Sequence, residues 1–388
     1  MRILVLIHNQ AYTGPFVKVL EQCEGLRALG HEVDLLCTSR RARFIPSVKK
    51  QGGLRIIESP DLLWARLRQG IDPWNIFIRV VLIMRKRYDV VHAIDSRPVV
   101  IIPAMFLKLI KKTKMVLSWW DLFGQGATAL ERSGWLYDRT FGRVEEFFER
   151  AFRKYADHST VISKYLNDAL VDLGYPQEKI SLLRLGCDTK RYLPLEKGKC
   201  REELQLKEHE IVLCFVGSIF REDKKLLVDS LRLLRSGNNR KVLTLLVGPH
   251  ELDDNISKEL DIVLTGRKSL SEVYKYLGAS DLCVLPFRVS QANMARWPSK
   301  VGDYLNAGRP VVATKVGDLE ELFVDHRLGY LSDDDSPRSF CRTLSKAVED
   351  SENWSEIGRN CRRFAVEYLD TQKLTLELQG IYQKVLAE

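Results

Sequence analysis

A lysine and an aspartate three residues apart, Lys300 and Asp303, lie in the stretch WPSKVGDYLNAGRPVVATKVGD that runs from Trp297 to Asp318. Pro298 suits a helix start, because its fixed φ fits the first turn and its missing N–H is no loss there. The pattern predicts a helix from Ser299 to Asn306, stopped by Gly308 in the left-handed conformation and by Pro310, with a strand in PVVAT. Helix N-termini attract phosphate through their unpaired N–H groups and the macrodipole, and Lys300 in the first turn adds a cation. Asp303 follows one turn later on the same face, where a carboxylate can hold a ribose diol by two hydrogen bonds. The pair reads as a grip for a nucleoside diphosphate. It reads equally as a surface Lys–Asp pair with little energetic weight.

Other residues invite chemistry more weakly. Asp121 ends a buried apolar run in SWWDLFGQG. It can accept a hydrogen bond from a sugar hydroxyl, or cap a helix. The neighbouring tryptophans can stack on a sugar or fill a core. His92 and Asp95 end another strand in VVHAIDSRP, facing an acceptor or simply satisfied in the interior. The run SDDDSP at Ser332–Pro337 suggests a metal, but adjacent carboxylates point different ways, and a polar run before Pro reads as a loop opening a helix. ELDDN near Asp253 is similarly plain. No metal site is assigned.

These residues need elements to position them. The chain has 388 residues, 45% of them hydrophobic, enough for two domains. Residues 1–190 carry 30 Lys and Arg against 20 Asp and Glu, and the remainder 30 against 31, so the net charge of +9 sits in the first half. Such an excess suits anionic partners or a solvated basic surface. None of the eight cysteines forms a CxxC pair, and several lie inside apolar runs, which reads as buried thiols in a reducing compartment. MRILVLIHNQ lacks signal-peptide anatomy. The apolar stretch Val99–Ile110 is too short to span a bilayer and contains Pro103 and Lys108. A cytoplasmic location is expected, with peripheral contact at the inner face of the membrane.

Short Val/Ile/Leu runs at 2–7, 32–37, 54–58, 90–94, 115–119, 159–162 and 180–185 read as strands buried on both faces. GPFVKVLEQCEGLRALGHEV between the first two is a helix ending at Gly30, so the unit is strand–helix–strand and the sheet parallel. After a polar hinge, YLPLEKGKCREELQLKEHE, the pattern repeats with strands at 211–216, 243–247, 262–265, 282–286 and 310–314. The fold class is α/β: two doubly wound Rossmann-like domains, 1–195 and 196–388, facing across a cleft at the carboxyl ends of two sheets. The tail from Trp354 to Ala387 is helical and charged.

PSKVGDYLNAGRPVVATKVGDLEEL resembles the donor-nucleotide segment of GT-B glycosyltransferases, especially the retaining family 4 (glycosyltransferases group 1). Asp303, Gly308, Pro310, Gly317 and Glu321 fall on that pattern. IVLCFVGSIFREDKKLLVDSL resembles the strand–loop–helix whose basic residues hold the diphosphate, and LLVGPHE the next strand with its terminal Gly. IVLTGRKSLSEVYKYLGASDLCVLPF resembles the base-binding turn with the helix and strand that lead into the donor loop. In the first half, GHEVDLLCTS, DVVHAIDSRP, ADHSTVISKYLNDAL and ISLLRLGCDTKRYLP have family counterparts, so the resemblance spans nearly the whole chain. It implies the GT-B fold, with the C-terminal helix packing back toward the first domain, and transfer of a hexosyl group from a nucleotide sugar, UDP- or GDP-linked, with retention and without a metal. It implies catalytic roles for Asp121, Lys300 and Arg221. Asp303, Gly266, Arg267, Lys224, Lys225, Ser299, Gly217 and Gly14 would bind the nucleotide. The acceptor would be a saccharide or lipid-linked saccharide.

The chain departs from the pattern at four places. Ala295 stands where many members have a first acidic residue, Ser218 where Arg is usual, Trp120 where His is frequent, and Gly14 alone where a Gly pair is common. These departures keep open a non-catalytic nucleotide-sugar-binding subunit and a sugar-nucleotide epimerase of similar fold. A nucleic-acid partner is not expected, since no Arg-aromatic module accompanies the charge. The basic stretches Arg40–Lys50 and Leu107–Lys114 interleave cations with apolar residues, as suits an anionic membrane surface near a membrane-held acceptor.

Overall fold

The computed structural model describes residues 1–62, 70–124, 126–133, 135–206, 211–237 and 241–388. Gln125, in the loop after Asp121, and residues 207–210 of the expected hinge lie outside the described residues. The chain divides into two units, Met1–Leu185 with Thr371–Glu388, and Gly186–Asp370.

In the first unit the strands are β1 (Arg2–Gln10), β2 (Glu32–Thr38), β3 (Ser47–Gln51), β4 (Leu54–Ser59), β5 (Val90–Ile94), β6 (Lys114–Trp119), β7 (His158–Val161) and β8 (Ile180–Leu182), in the order β3-β4-β2-β1-β5-β6-β7-β8. Neighbours pair in parallel except β3, which runs antiparallel to β4. Ile3 to Ile7 in β1 are each at most 1% exposed. Helices on both faces of a parallel sheet bury both rows of side chains, hence the unbroken apolar sequence. Burial of each such side chain contributes about 1.5–3 kcal/mol. β3 is an addition to the sequence expectation. Its sequence, SVKKQ, is polar and exposed, and it joins the sheet through its backbone, with Lys49 Nζ 2.6 Å from Glu58. Lysine on an edge strand also discourages pairing with another chain.

The charged tail is two helices with different allegiances. Trp354–Tyr368 belongs to the second unit and Thr371–Ala387 to the first. Leu374, Leu378, Tyr382 and Val385 of the last helix enter the core with Ile3, Val5 and Leu35. Gly25 permits this approach, since a Cβ there would stand 2.8 Å from Thr375 Oγ1. The Tyr382 hydroxyl meets His92 Nδ1 at 2.7 Å, and His92 Nε2 meets Ser118 Oγ at 2.6 Å. His92 is therefore a satisfied core residue, its pKa lowered to about 3 by burial.

The second unit holds β9 (Ile211–Val216), β10 (Val242–Val247), β11 (Ile262–Gly266), β12 (Leu282–Leu285), β13 (Val311–Thr314) and β14 (Gly329–Ser332), in the order β11-β10-β9-β12-β13-β14, all paired in parallel. The edge strand β14 is a further addition. The chain winds outward from β9 in one direction, then returns to begin again at β12. The order therefore reverses between β9 and β12, as it does between β1 and β5 in the first unit.

Candidate functional site

Ligands of doubly wound sheets bind beyond the carboxyl ends of the strands where the order reverses. In the second unit that place lies past Val216 of β9 and Leu285 of β12. The helix Ser299–Asn306 forms there as its sequence dictates, with Pro298 as N-cap and Gly308 at φ +67 behind it. Val301, Tyr304 and Leu305 are fully buried. The Val216 N–H donates to the Tyr304 hydroxyl at 2.7 Å, which fastens the helix to the end of β9.

So fixed, the helix lays Lys300 across the switch point. Its Nζ is 3.7 Å from the centroid of the Phe215 ring on β9 and 5.8 Å from that of Phe287, just past β12, and it donates to the Ser218 carbonyl at 3.2 Å. Lys300 is half-buried, and its desolvation lowers its pKa toward about 7, with Asp223 opposing the shift and Arg296 adding to it. Asp223 is buried and accepts from the Arg288 N–H at 2.7 Å and Asn293 Nδ2 at 3.3 Å. The Arg296 guanidinium lies 5.0 Å over Phe220.

Beside this ammonium β9 ends in bare backbone at Gly217, whose would-be Cβ stands 3.6 Å from Lys300 Cε, and the glycine ends of β10 and β11 adjoin it in turn. Gly217 has φ +91 and its N–H donates to the Val247 carbonyl at 2.8 Å. Gly248 has φ +147, and a Cβ there would stand 2.7 Å from the Gly217 carbonyl oxygen. Gly248 also bridges Gly266, at φ +70, which ends β11. At Gly248 nothing but glycine fits without displacing backbone, whereas Gly217 and Gly266 have the space but hold positive φ.

His250 completes the corner. Its ring stands edge-on to Phe215 at 5.8 Å, and its Nε2 is buried with no hydrogen-bond partner. Burial, then Lys300, then Lys224 lower its pKa to about 4, so the imidazole is neutral near pH 7 and lies within the field of both lysines. His250 escaped the sequence reading. The available signal was a histidine two residues past the Gly that ends a strand.

The remaining donor-side residues spread outward. Lys224 donates to the Glu251 carbonyl at 2.8 Å, whereas Arg221 and Lys225, in the first turns of the helix Arg221–Gly237, are exposed. Arg267 is exposed beyond Gly266, and Ser299 is half-buried at the first position of its helix. Asp303 is only 7% exposed and accepts from the Tyr274 hydroxyl at 3.2 Å. That hydroxyl accepts in turn from Asn306 Nδ2 at 2.7 Å, Arg362 holds the Asn306 side chain, and Tyr192 stacks on Tyr274 at 4.7 Å. Asp303 is thus a buried acceptor for the Tyr274 hydroxyl. Lys300 and Asp303 leave the same helix toward different partners.

On the first unit, Gly14 heads the helix Gly14–Ala28 past the end of β1, with no atom within 4 Å of a would-be Cβ. Asp121 follows β6, and the next helix begins only at Thr128, so Asp121 caps no helix. Together with burial its charge raises Asp95 to about 7. Asp95 holds φ +62 just beyond β5 and accepts from the Trp120 N–H at 2.8 Å. Trp119 is a core residue, 1% exposed, with the Arg153 guanidinium 3.7 Å over its ring. Trp120 packs partly against the core. In SDDDSP, Asp334 bonds the Ser336 N–H and Asp335 the Val289 N–H, stitching a loop. Among the described residues no helix is long and apolar enough to cross a membrane.

Comparison with known proteins matches residues 13–186 to a glycosyl transferase 4-like domain and residues 210–350 to glycosyl transferases group 1. The chain is 22% identical over 260 residues to an uncharacterized glycosyltransferase of Methanocaldococcus jannaschii, across 65% of this chain and 63% of that protein. It is 27% identical over 217 residues to TuaH of Bacillus subtilis, a glycosyltransferase named for teichuronic acid biosynthesis, across 54% of this chain and 53% of that one. The chain thus spans less than two thirds of the length of either relative. The crystal structure of Anabaena HepE in complex with UDP-glucose superposes over 100% of both chains with a TM-score of 0.72 at 16% identity, a likeness of fold.

Proposed function

This chain belongs to the GT-B-fold group 1 glycosyltransferases, and from that premise we propose that it moves a hexosyl group from a nucleoside-diphosphate sugar to a saccharide or lipid-linked acceptor, with retention at the anomeric carbon. One observation carries the donor half. The Lys300 ammonium lies at the reversal point of the second sheet, beside Gly217 at the end of β9, with no ion-pair partner among the described residues. The diphosphate would lie on that glycine ledge, facing Lys300 and the neutral His250, with Arg221, Lys224 and Lys225 supplying cations from the neighbouring helix. Gly266 and Arg267 would meet the base, and Asp303 the ribose from the helix whose first residue is Ser299.

As the glycosidic bond breaks, negative charge grows on the departing diphosphate, and fixed cations and N–H groups stabilise it without reorganising. A leaving phosphate oxygen can take the acceptor proton on the same face, so retention needs no pair of carboxylates. Asp121 and Gly14 are assigned to the first unit, which would receive the acceptor. A membrane-held acceptor would require that unit to dock on an anionic surface. HepE carries UDP-glucose, and we extend a UDP- or GDP-linked donor to this chain.

The test is a thermal-shift panel of UDP-, GDP- and ADP-hexoses, followed by incubation with the labelled donor. A ligand at a hundredfold over its Kd stabilises by about 2.7 kcal/mol. One base class should shift the wild type and fail with Lys300→Met. No shift with any nucleotide sugar defeats the donor assignment. Binding without label transfer favours a non-catalytic subunit, and isomerised donor without acceptor favours an epimerase.

A further inference from the structure

The segment from Trp135 to Tyr155 of the first unit is folded inside out. In the helix Phe141–Ala151 the buried positions are Gly142, Glu145 and Glu149. Glu145 pairs with Arg97 and accepts from the Tyr137 hydroxyl at 2.9 Å. Glu149 accepts from the N–H groups of Phe123 and Gly124 and from Trp119 Nε1, at 2.9–3.0 Å for the nearest oxygen of each. Asp138, in the short helix before it, accepts from the Gly126 N–H at 2.7 Å. The carboxylates of the segment are thus turned inward, while Glu146 stays half-buried and pairs with Arg150.

The outward side is apolar. Phe141, Val144 and Phe147, at helical spacing, are 44%, 45% and 59% exposed, and Trp135 and Leu136 are 61% and 71% exposed. Arg139, Arg143, Arg150 and Lys154 are exposed with them. The Arg139 guanidinium lies 4.8 Å over the Trp135 ring, an arrangement in which a cation stays near water beside a ring that does not. Arg143, Arg150 and Lys154 also line a depression of about 500 Å³ with Phe147, Leu173 and Tyr175, and with Glu146, whose one carboxylate pairs with Arg150 and leaves the cations in excess.

Charge decides the occupant. Two copies meeting through this face would oppose cation to cation, with no exposed carboxylate from the segment to pair them. A nucleic acid would leave Leu136, Val144 and Phe147 uncovered. An anionic bilayer accepts both parts, the apolar side chains at the acyl boundary and the cations at the headgroups. We propose that the face formed by the helices Trp135–Arg139 and Phe141–Ala151 is the surface by which this chain docks on an anionic membrane, the depression between Arg143, Arg150 and Lys154 taking a lipid headgroup phosphate. This deepens the docking reading above, does not depend on sugar transfer, and moves the contact away from the two basic stretches singled out in the sequence. There Lys49 and Lys108 are already held by Glu58 and Asp157, at 2.6 and 2.7 Å.

The experiment is co-sedimentation of the full chain with phosphatidylcholine vesicles, with and without phosphatidylglycerol, across a salt series. Binding should require phosphatidylglycerol and weaken with salt. It should fall by about tenfold or more in a Trp135→Ser/Phe147→Ser chain, which loses buried apolar area, and again in Arg143→Ser/Lys154→Ser, which loses charge. All four side chains are exposed, and unchanged nucleotide-induced thermal shifts would show that the variants fold. Wild-type binding by both variants overturns the proposal. So does loss of binding only on removal of Arg40, Arg41 and Arg43, absence of binding at low salt, or a dimer that Phe147→Ser dissociates. A chain that binds vesicles but transfers no sugar upholds the docking surface and defeats only the transfer reading.

Discussion

Donor binding should draw a proton from solution through Lys300. Partial burial beside Phe215 lowers the pKa of this half-buried ammonium toward about 7. A bound diphosphate supplies the negative partner it lacks and returns its pKa toward the ordinary value for lysine. Between those two values the complex binds one proton more than its free components. Below pH 7 the lysine is already charged and affinity is flat. Above it, charging costs up to about 1.4 kcal/mol per pH unit, so Kd should rise by up to about tenfold at pH 8 and about a hundredfold at pH 9 relative to pH 6. The assay is calorimetry with a nucleotide sugar, whose diphosphate does not titrate in this range, in two buffers of different ionisation enthalpy. Proton uptake should approach one per ligand at pH 8.5 and vanish at pH 6. His250, lowered to about 4 in the free chain, starts far below pH 8.5, so uptake at that pH reports Lys300. Lys300→Arg should bind with a flat pH profile. The sign also appears in stability. The folded chain binds fewer protons at Lys300 than the unfolded chain between about pH 7 and lysine's ordinary pKa, so stability from this site rises with pH there. Lys300→Met should therefore stabilise more at pH 6 than at pH 9. Affinity independent of pH from 6 to 9, with no proton uptake, would refute the assignment of Lys300 to the diphosphate.

Asp303→Ala should weaken nucleoside-diphosphate binding by about 1–3 kcal/mol, and equal calorimetric affinities would remove Asp303 from the ribose site. Gly248→Ala should destabilise the second unit by about 1–3 kcal/mol and abolish nucleotide-induced thermal shifts, since its Cβ would stand 2.7 Å from the Gly217 carbonyl oxygen; an undisturbed chain would contradict the glycine ledge. Asp95, raised to about 7, binds more protons folded than unfolded between about pH 4 and 7, so its contribution to stability falls across that window. Asp95→Asn keeps the acceptor for the Trp120 N–H and tolerates φ +62; in urea melts it should be more stabilising at pH 8 than at pH 5, by at most about 3 kcal/mol, and the reverse order would contradict the shift. Turnover should survive a chelator, and activity lost to EDTA and restored by Mn²⁺ would overturn the metal-independent reading.

The strands were legible where the sheet is buried on both faces. Ile3 to Ile7 or Val212 to Phe215 can hardly be anything but strands inside helices. β3 was not legible, because an edge strand needs no apolar residue, and SVKKQ has its contacts through backbone and Lys49. β14, GYLS, is four residues at the other edge, with Gly329 and Leu331 half-buried. The site divides the same way. Lys300 and Asp303 could be placed on one helix because Pro298 and Gly308 punctuate it. His250 and Arg296 could not be brought to Lys300, since their nearness is created by the parallel pairing of β9 with β10 and by the turn after the helix Gln291–Ala295. FGRVEEFFERA shows two faces by periodicity, yet periodicity does not say which face is inward. Arg97, Trp119 and the N–H groups of Phe123 and Gly124 reverse the usual answer by requiring Glu145 and Glu149 inside.

The spacing of Lys300 and Asp303 now has a physical meaning that neither initial reading contained. A surface pair would have bound the two side chains to each other and left the helix free to shift. Instead each anchors or serves a different neighbour. Tyr304 ties the helix to the end of β9 through the Val216 N–H, and Asp303 and Asn306 tie it to Tyr274 and Arg362. Those bonds hold the helix in place, and Lys300 extends from it over Phe215. A half-buried ammonium lying over Phe215, with the Ser218 carbonyl as its acceptor, is partly desolvated in the free protein, which lowers its pKa. On the proposed reading, an anion arriving at the strand ends would relieve the cost of that desolvation, and charge growing there later would meet a cation already in position.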